Sequence, residues 1–222
     1  MNLHECRRTE DPAGKPHSIA TRWLGRIGYQ QALLLQEEIV ARKIAEPATA
    51  DELLLLEHEP VYTIGRTPDQ SSLRDVAELP YPLMQISRGG QATYHGPGQL
   101  VGYPILDLRP RGQDLHRYMR ALEELIIETL RHFEIEAGRR EGLTGVWVGS
   151  RKIASIGVGV KRWISLHGFA LNVCGDLAPF THITPCGIAG VEMTSMAIES
   201  GQTLSVEEVA HRAGELMRAY FA

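Results

Sequence analysis

Apolar residues recur along this chain at two spacings, and the switches between them outline its secondary structure. Thr21 to Ile27 has a short strand pattern. Tyr29 to Ala45 follows with Leu33, Leu34, Ile39, Val40 and Ile44 set among helix-forming Gln, Glu and Ala residues. Leu53-Leu54-Leu55-Leu56 is a compact apolar run ahead of His58-Glu59-Pro60, and Val61-Tyr62-Thr63-Ile64 resumes it until Gly65. Both pieces read as buried strands. Residues 66 to 82 are polar and broken by Pro68, Pro80 and Pro82, which predicts a long surface loop with at most a short helix.

Three further strand-like stretches, Leu83 to Arg88, Gln91 to His95 and Gln99 to Leu108, are separated by Gly89-Gly90 and Gly96-Pro97-Gly98. Asp114 is placed to cap a helix in which Leu115, Tyr118, Met119, Leu122, Leu125, Ile126, Leu130 and Phe133 recur at helical spacing, with Arg117, Arg120, Glu123, Glu124 and Glu128 mostly on the opposite face. Strands are expected again at Gly145 to Val148, Lys152 to Val160 and Ser165 to Val173. Ser205 and Glu208 form a capping box that opens a last helix running to about Tyr220. Strands are grouped, with helices between the groups, so the fold class is α+β rather than an alternating βαβ fold.

At 222 residues the chain has enough length to bury a full core, most simply as one domain spanning residues 19 to 222. Residues 1 to 18, where charges surround Pro12, Gly14 and Pro16, are expected to be a mobile tail. The chain has 27 acidic and 23 basic residues, a net charge of -4, which argues against a nucleic-acid footprint or a basic membrane-surface helix. Three cysteines, Cys6, Cys174 and Cys186, without a CxxC spacing give neither a disulfide framework nor a zinc knuckle. The expected compartment is a reducing cytosol, with no metal and no cofactor.

Candidate chemistry gathers at a few positions. Cys186 lies in Ile183-Thr184-Pro185-Cys186-Gly187, where Pro185 fixes the backbone and Gly187 leaves room beside the sulfur for another molecule. Lys152 begins an apolar strand, Ile153 to Val158, in which partial desolvation favours proton exchange by its amine. Arg88 to Gln99 combines two glycine turns with a cation, a phenol and an imidazole, so the backbone there is free to approach a ligand while Arg88, Tyr94 and His95 hold its polar end. A Cys-His arrangement remains open, because His95, His167 or His182 need only meet Cys186 in space. Gly157-Val158-Gly159 lacks the third glycine and the following helix of a dinucleotide fingerprint.

Taken in order, RGGQATYHGPGQ, RKIASIG, SLHGFALNV and ITPCGIAG closely resemble the octanoyltransferases of lipoic acid synthesis, from about Thr21 to the last helix. The resemblance implies the fold of biotin protein ligases and lipoate-protein ligases, with mixed sheets around an acyl-binding tunnel. It implies that Cys186 is the acyl-accepting nucleophile and Lys152 the residue that activates it. Substrate contacts are implied for Arg88, Gly89, Gly90, Gln91, Ala92, Thr93, Tyr94 and His95, for Ser155, Ile156 and Gly157, and for Gly168, Phe169 and Ala170. The implied donor is octanoyl-acyl carrier protein. The implied acceptors are lysines on lipoyl domains of 2-oxoacid dehydrogenase E2 subunits and on the glycine cleavage H protein. For docking such acidic partners the candidates are Arg111, Arg117, Arg139, Arg140, Arg151, Lys161 and Arg162. An ATP-dependent ligase on the same fold would not require the cysteine.

Overall fold

The computed structural model describes residues 18–66, 69–188 and 190–221. The expected tail and Cys6 therefore lie outside the described residues, Ser18 excepted. Among the described residues ten strands and four α-helices follow in chain order: β1 (Ile19–Ile27), α1 (Tyr29–Ala45), β2 (Asp51–His58), β3 (Val61–Ile64), β4 (Leu83–Gln85), β5 (Thr93–His95), β6 (Gln99–Ile105), α2 (Leu115–His132), β7 (Gly138–Arg140), β8 (Leu143–Val148), β9 (Arg151–Lys161), β10 (Ile164–Asn172), α3 (Met196–Ser200) and α4 (Val206–Phe221). Seven strands form one sheet in the order β1-β2-β6-β10-β9-β8-β7, and β4-β3-β5 form a second. The single domain is thus α+β, with mixed sheets packed by helices.

The Leu53–Leu56 run is apolar at every position because both faces of β2 are covered. Leu53 and Leu55 face a core shared with α2 and α4. Leu54 and Leu56 face the core under α1, beside Val101, Tyr103 and Ile105 of β6. The apolar run after His58 does not stay in that sheet. It becomes β3, which pairs parallel with β4 and antiparallel with β5. The hinge between the two sheets thus falls at the expected break, His58-Glu59-Pro60.

Helix α2 starts where Asp114 accepts from the Arg117 N–H at 3.0 Å, and Ser205 caps α4 by accepting from the Glu208 N–H at 3.1 Å. Three expectations need correction. The expected strands at Leu83 and Gln91 shrink to Leu83–Gln85 and Thr93–His95, because the Arg88–Gln91 backbone is bent into turns. The short β7 and α3 carry too few periodic residues to be read from the pattern. Glu123, expected on the outer face of α2, is 1 % exposed. Among the described residues no helix is long and apolar enough to cross a membrane.

Candidate active site

Lys152 is the second residue of β9, directly across from Trp147 of β8. On its other side it bridges to Met193, with its N–H donating to Glu192 O at 2.8 Å and its carbonyl accepting from the Thr194 N–H at 2.9 Å. Backbone pairing on both sides leaves this residue little freedom. Its side chain is 1 % exposed, and the amine donates to Thr144 O at 2.9 Å and to Cys186 Sγ at 3.1 Å. The Trp147 ring centroid lies 5.2 Å from Nζ. Gly145, at φ +118°, makes this seat possible: a Cβ there would fall 2.7 Å from Lys152 Cε and 2.6 Å from Ala154 O.

Cys186 reaches the same point from a loop. Its own backbone is left-handed (φ 57°, ψ 18°), an uncommon conformation for a side-chain-bearing residue. The turn is held by Cys186 N–H donating to Ala92 O at 3.1 Å, Thr184 N–H to Ser72 O at 2.8 Å and Gly187 N–H to Thr184 O at 2.9 Å. Ser155 Oγ lies 3.7 Å from the sulfur. The hydrogen-bonding neighbours of the thiol are thus an amine and a hydroxyl. His95 and His167 face the same cavity without pairing to the sulfur, and His182 is exposed.

A cavity of about 450 Å³ opens beside this pair. Of the positions implied for substrate contact, Arg88, Gly89, Gly90, Gln91, Thr93, His95, Ser155, Ile156, Gly157, Gly168, Phe169 and Ala170 all line it. Ala92 and Tyr94 do not. Strand alternation sends Thr93 and His95 to the cavity and Ala92 and Tyr94 to the core behind, with Tyr62 and Phe180. Ala92 still serves the site through its carbonyl, the acceptor for Cys186 N–H.

The cavity wall mixes apolar faces with buried, largely uncharged polar groups. Val101, Leu115, Met119, Leu143, Ile156 and Phe169 supply surface suited to a short acyl chain. Arg88 is buried, donating to Gly89 O at 2.9 Å, Thr63 O at 2.9 Å and Thr63 Oγ1 at 3.0 Å. Burial draws it below the usual guanidinium range, while Tyr29, Cys186 and Tyr103 nearby favour its charge. Burial likewise lowers the imidazoles, His58 and His167 to about 4 and His95 to about 3. At neutral pH they are uncharged. His95 Nδ1 pairs with Gln99 Oε1 at 2.8 Å and His58 Nε2 with Tyr103 Oη at 2.6 Å.

Several lining residues escaped sequence reasoning: Tyr29, Tyr103, Leu115, Met119 and Thr144. Tyr29, Leu115 and Met119 look like ordinary core positions of amphipathic helices, so only their convergence in space reveals them. Of the basic docking candidates, Arg111 is engaged by Asp51 at 2.8 Å, Arg151 by Glu199 at 2.8 Å and Arg139 by Glu123 at 3.0 Å, while Lys161 and Arg162 stand exposed at the β9–β10 turn. Among the described residues there is no cluster of three or more His, Cys, Asp or Glu that could hold a metal ion.

Mixed sheets, a partly open cavity with apolar walls and a buried amine against a thiol define a fold with an enzyme-like site, and the sequence places it. Residues 28–217 match the lipoyl protein ligase A/B catalytic domain, and the chain belongs to that family. Among its relatives is an octanoyltransferase of Geotalea uraniireducens, 51% identical over 191 residues that cover 86% of this chain and 87% of the relative. Another, from Geobacter sulfurreducens, is 50% identical over 185 residues, covering 83% of this chain and 77% of the relative. Within the family this protein is a lipoyl(octanoyl) transferase, acting in protein lipoylation. Its fold resembles that of a lipoate-protein ligase A bound with ATP (TM-score 0.74, 15% identity, covering 93% of this chain and 85% of that one). It also resembles a bi-partite lipoate protein ligase of Thermoplasma acidophilum, studied with its E2 lipoyl domain (TM-score 0.72, 17% identity, covering 91% and 84%).

Proposed function

We propose that the enzyme takes an octanoyl group from the phosphopantetheine thioester of octanoyl-acyl carrier protein onto Cys186 and passes it to a lysine amine of a lipoyl domain. The acceptors are 2-oxoacid dehydrogenase E2 subunits and the glycine cleavage H protein. Residues 19–222 form the catalytic domain, and the reducing cytoplasm keeps its thiol free. The observation that carries this reading is the 3.1 Å contact between Lys152 Nζ and Cys186 Sγ beside a cavity with apolar walls.

The chemistry runs in two halves. Cys186 loses its proton to Lys152, its sulfur attacks the thioester carbonyl, and the carbon–sulfur bond to pantetheine breaks as Lys152 returns the proton to the departing thiol. In the second half the acceptor amine attacks the Cys186 thioester, Lys152 takes a proton from the amine, and Cys186 leaves as a thiol once reprotonated. Thioester exchange is close to isoenergetic and amide formation runs downhill, so neither step needs ATP or a cofactor.

Proton transfer is the larger part of the lysine's role. An ordinary cysteine thiol, with a pKa of about 8.5, is only a few per cent ionised at neutral pH. Ionising half of it gains roughly fifteen-fold in thiolate, but nucleophilicity falls with basicity along a slope of about 0.4 to 0.5, which leaves a few-fold net gain.

Intact mass spectrometry after mixing with octanoyl-acyl carrier protein tests the proposal. Wild type gains one octanoyl mass, Cys186→Ala gains none, and adding a lipoyl domain discharges the adduct. Free octanoate with ATP is the companion arm. A wild type that stays unmodified by the carrier protein, yet octanoylates a lipoyl domain from octanoate and ATP, is a ligase instead.

A further inference from the structure

Lys152 is a buried amine, and among the described residues no carboxylate pairs with it directly; its partners are Thr144 O, Cys186 Sγ and the Trp147 ring. Such a group needs its acceptors fixed in place, because an ammonium without good partners is costly to bury. The Thr144 carbonyl is therefore the partner to explain. It belongs to the same rigid peptide unit as the Gly145 N–H, and that N–H donates to Glu123 Oε1 at 3.0 Å. In a trans peptide the two groups point in opposite directions. Holding the N–H toward α2 aims the carbonyl at Lys152 Nζ.

Three features make this more than the routine satisfaction of a buried N–H. The β8–β9 register slips between Val146 and Trp147, and Gly145 sits at φ +118°, where the backbone has freedom that other residues lack. The Glu123 carboxylate divides its oxygens: Oε2 accepts from Arg120 Nη1 at 2.6 Å and from Arg139 Nε at 3.0 Å, and Oε1 is given to the peptide. Its side chain is 1 % exposed, so water does not compete for that oxygen.

We propose that Glu123 is a positioning residue for the Lys152 amine, acting from α2 through the single peptide unit Thr144–Gly145. The proposal rests on reading Lys152 and Cys186 as the reacting pair. Reach is the property that matters: a side chain one methylene shorter draws both oxygens back, and the partly exposed Arg120 and Arg139 side chains have freedom to follow while the Gly145 N–H, fixed in β8, does not.

The test compares Glu123→Asp with Glu123→Gln in the full chain. Alkylation of Cys186 by iodoacetamide is followed from pH 6 to 9 by peptide mass mapping, next to kcat and KM for octanoyl-acyl carrier protein. Glu123→Asp is expected to move the alkylation profile to higher pH and to lower kcat about tenfold with KM nearly unchanged. Glu123→Gln, made together with Arg120→Met and Arg139→Met to remove the two donors that would otherwise draw its single amide oxygen away from Gly145, retains the wild-type profile, even if loss of the arginine pairs lowers its Tm. A profile that moves in neither variant, or moves as far in Glu123→Gln as in Glu123→Asp, overturns the proposal. Lys152→Met is the control that separates the two failures. If it also leaves alkylation and kcat unchanged, the reading of the Lys152–Cys186 pair fails and the proposal with it, whereas a profile that moves in Lys152→Met but not in Glu123→Asp overturns the role of Glu123 alone.

Discussion

The amine and the thiol of this site meet at 3.1 Å but are held by opposite means. Lys152 sits within the large sheet, paired with β8 on one side and bridged to Met193 on the other. Cys186 sits in a left-handed turn secured by three backbone hydrogen bonds and a packed Gln91 side chain against Gly187. The amine is built into the scaffold, and the sulfur is presented on a loop. That division suits an acyl group exchanged between two large partners, because the reacting sulfur must be approached while its proton partner stays still. Damage on the strand side should therefore cost stability and activity together. On the loop side the two should separate.

Gly145→Ala attacks the strand side and carries the largest expected effect. The new methyl would lie 2.6 Å from Ala154 O and 2.7 Å from Lys152 Cε, in a backbone conformation unsuited to alanine. About 3 kcal/mol of stability and about a hundredfold in kcat are expected to go together. Urea denaturation beside steady-state octanoyl transfer checks this. Retained activity with lost stability would show that the Lys152 seat does not depend on Gly145.

Acid tests the strand side next. His58, His95 and His167 all lie on strands, and burial holds their folded values at about 4, 3 and 4, below the 6.5 of an unperturbed imidazole. Between those limits the unfolded chain binds more protons than the folded one. The stabilisation is thus complete above about pH 6.5 and is lost as pH falls toward the folded values. Each histidine is expected to cost on the order of 1 kcal/mol per pH unit below 6.5, read from urea midpoints at pH 7, 6 and 5. His167→Asn, which suits the left-handed backbone at φ 58°, should shallow the slope. A midpoint unchanged from pH 7 to pH 5 would mean these rings are not held neutral by burial.

The same contrast governs what the sequence could reveal. Helix α2 and its Asp114 cap, the doubly covered run Leu53–Leu56 and β9 around Lys152 were legible because periodicity and burial coincide there. Cys186 stood out by its Pro-Cys-Gly setting, and the four motif blocks supplied the family. Glu123 was misread as a surface residue because an acidic side chain on a helix gives no sign that a buried N–H from β8 will meet it. Thr144 and Gly145 were equally silent: one contributes only a carbonyl and the other only the room left by a missing side chain. The strands at 83–88 and 91–95 were overextended because apolar composition does not register the bends that bring Arg88 to the cavity.

Gly187→Ala probes the loop side. Its φ of 70° makes alanine costly by about 1 kcal/mol. Its Cβ would meet Gln91 Cγ at 2.9 Å, a flexible side chain that has room to yield. Octanoyl transfer should fall more, by roughly tenfold, because the methyl displaces Gln91, which lines the cavity beside Cys186. A large fall in Tm with unchanged kcat would reverse the division of labour between strand and loop.

The smallest effect is expected at Tyr94, and its smallness is informative. Tyr94 stands between Thr93 and His95 in the motif that carries the family resemblance, yet its ring packs at 5.3 Å from Tyr62 and 5.6 Å from Phe180, behind the cavity wall. Tyr94→Phe keeps the ring and removes only the hydroxyl, so stability should hold within about 0.5 kcal/mol and KM for the octanoyl donor should stay unchanged. Thr93→Val, one residue earlier and facing the cavity, should raise that KM several-fold. If Tyr94→Phe disturbed donor binding and Thr93→Val did not, the alternation of β5 would be assigned to the wrong face, and with it the side of the sheet from which the acyl chain is held.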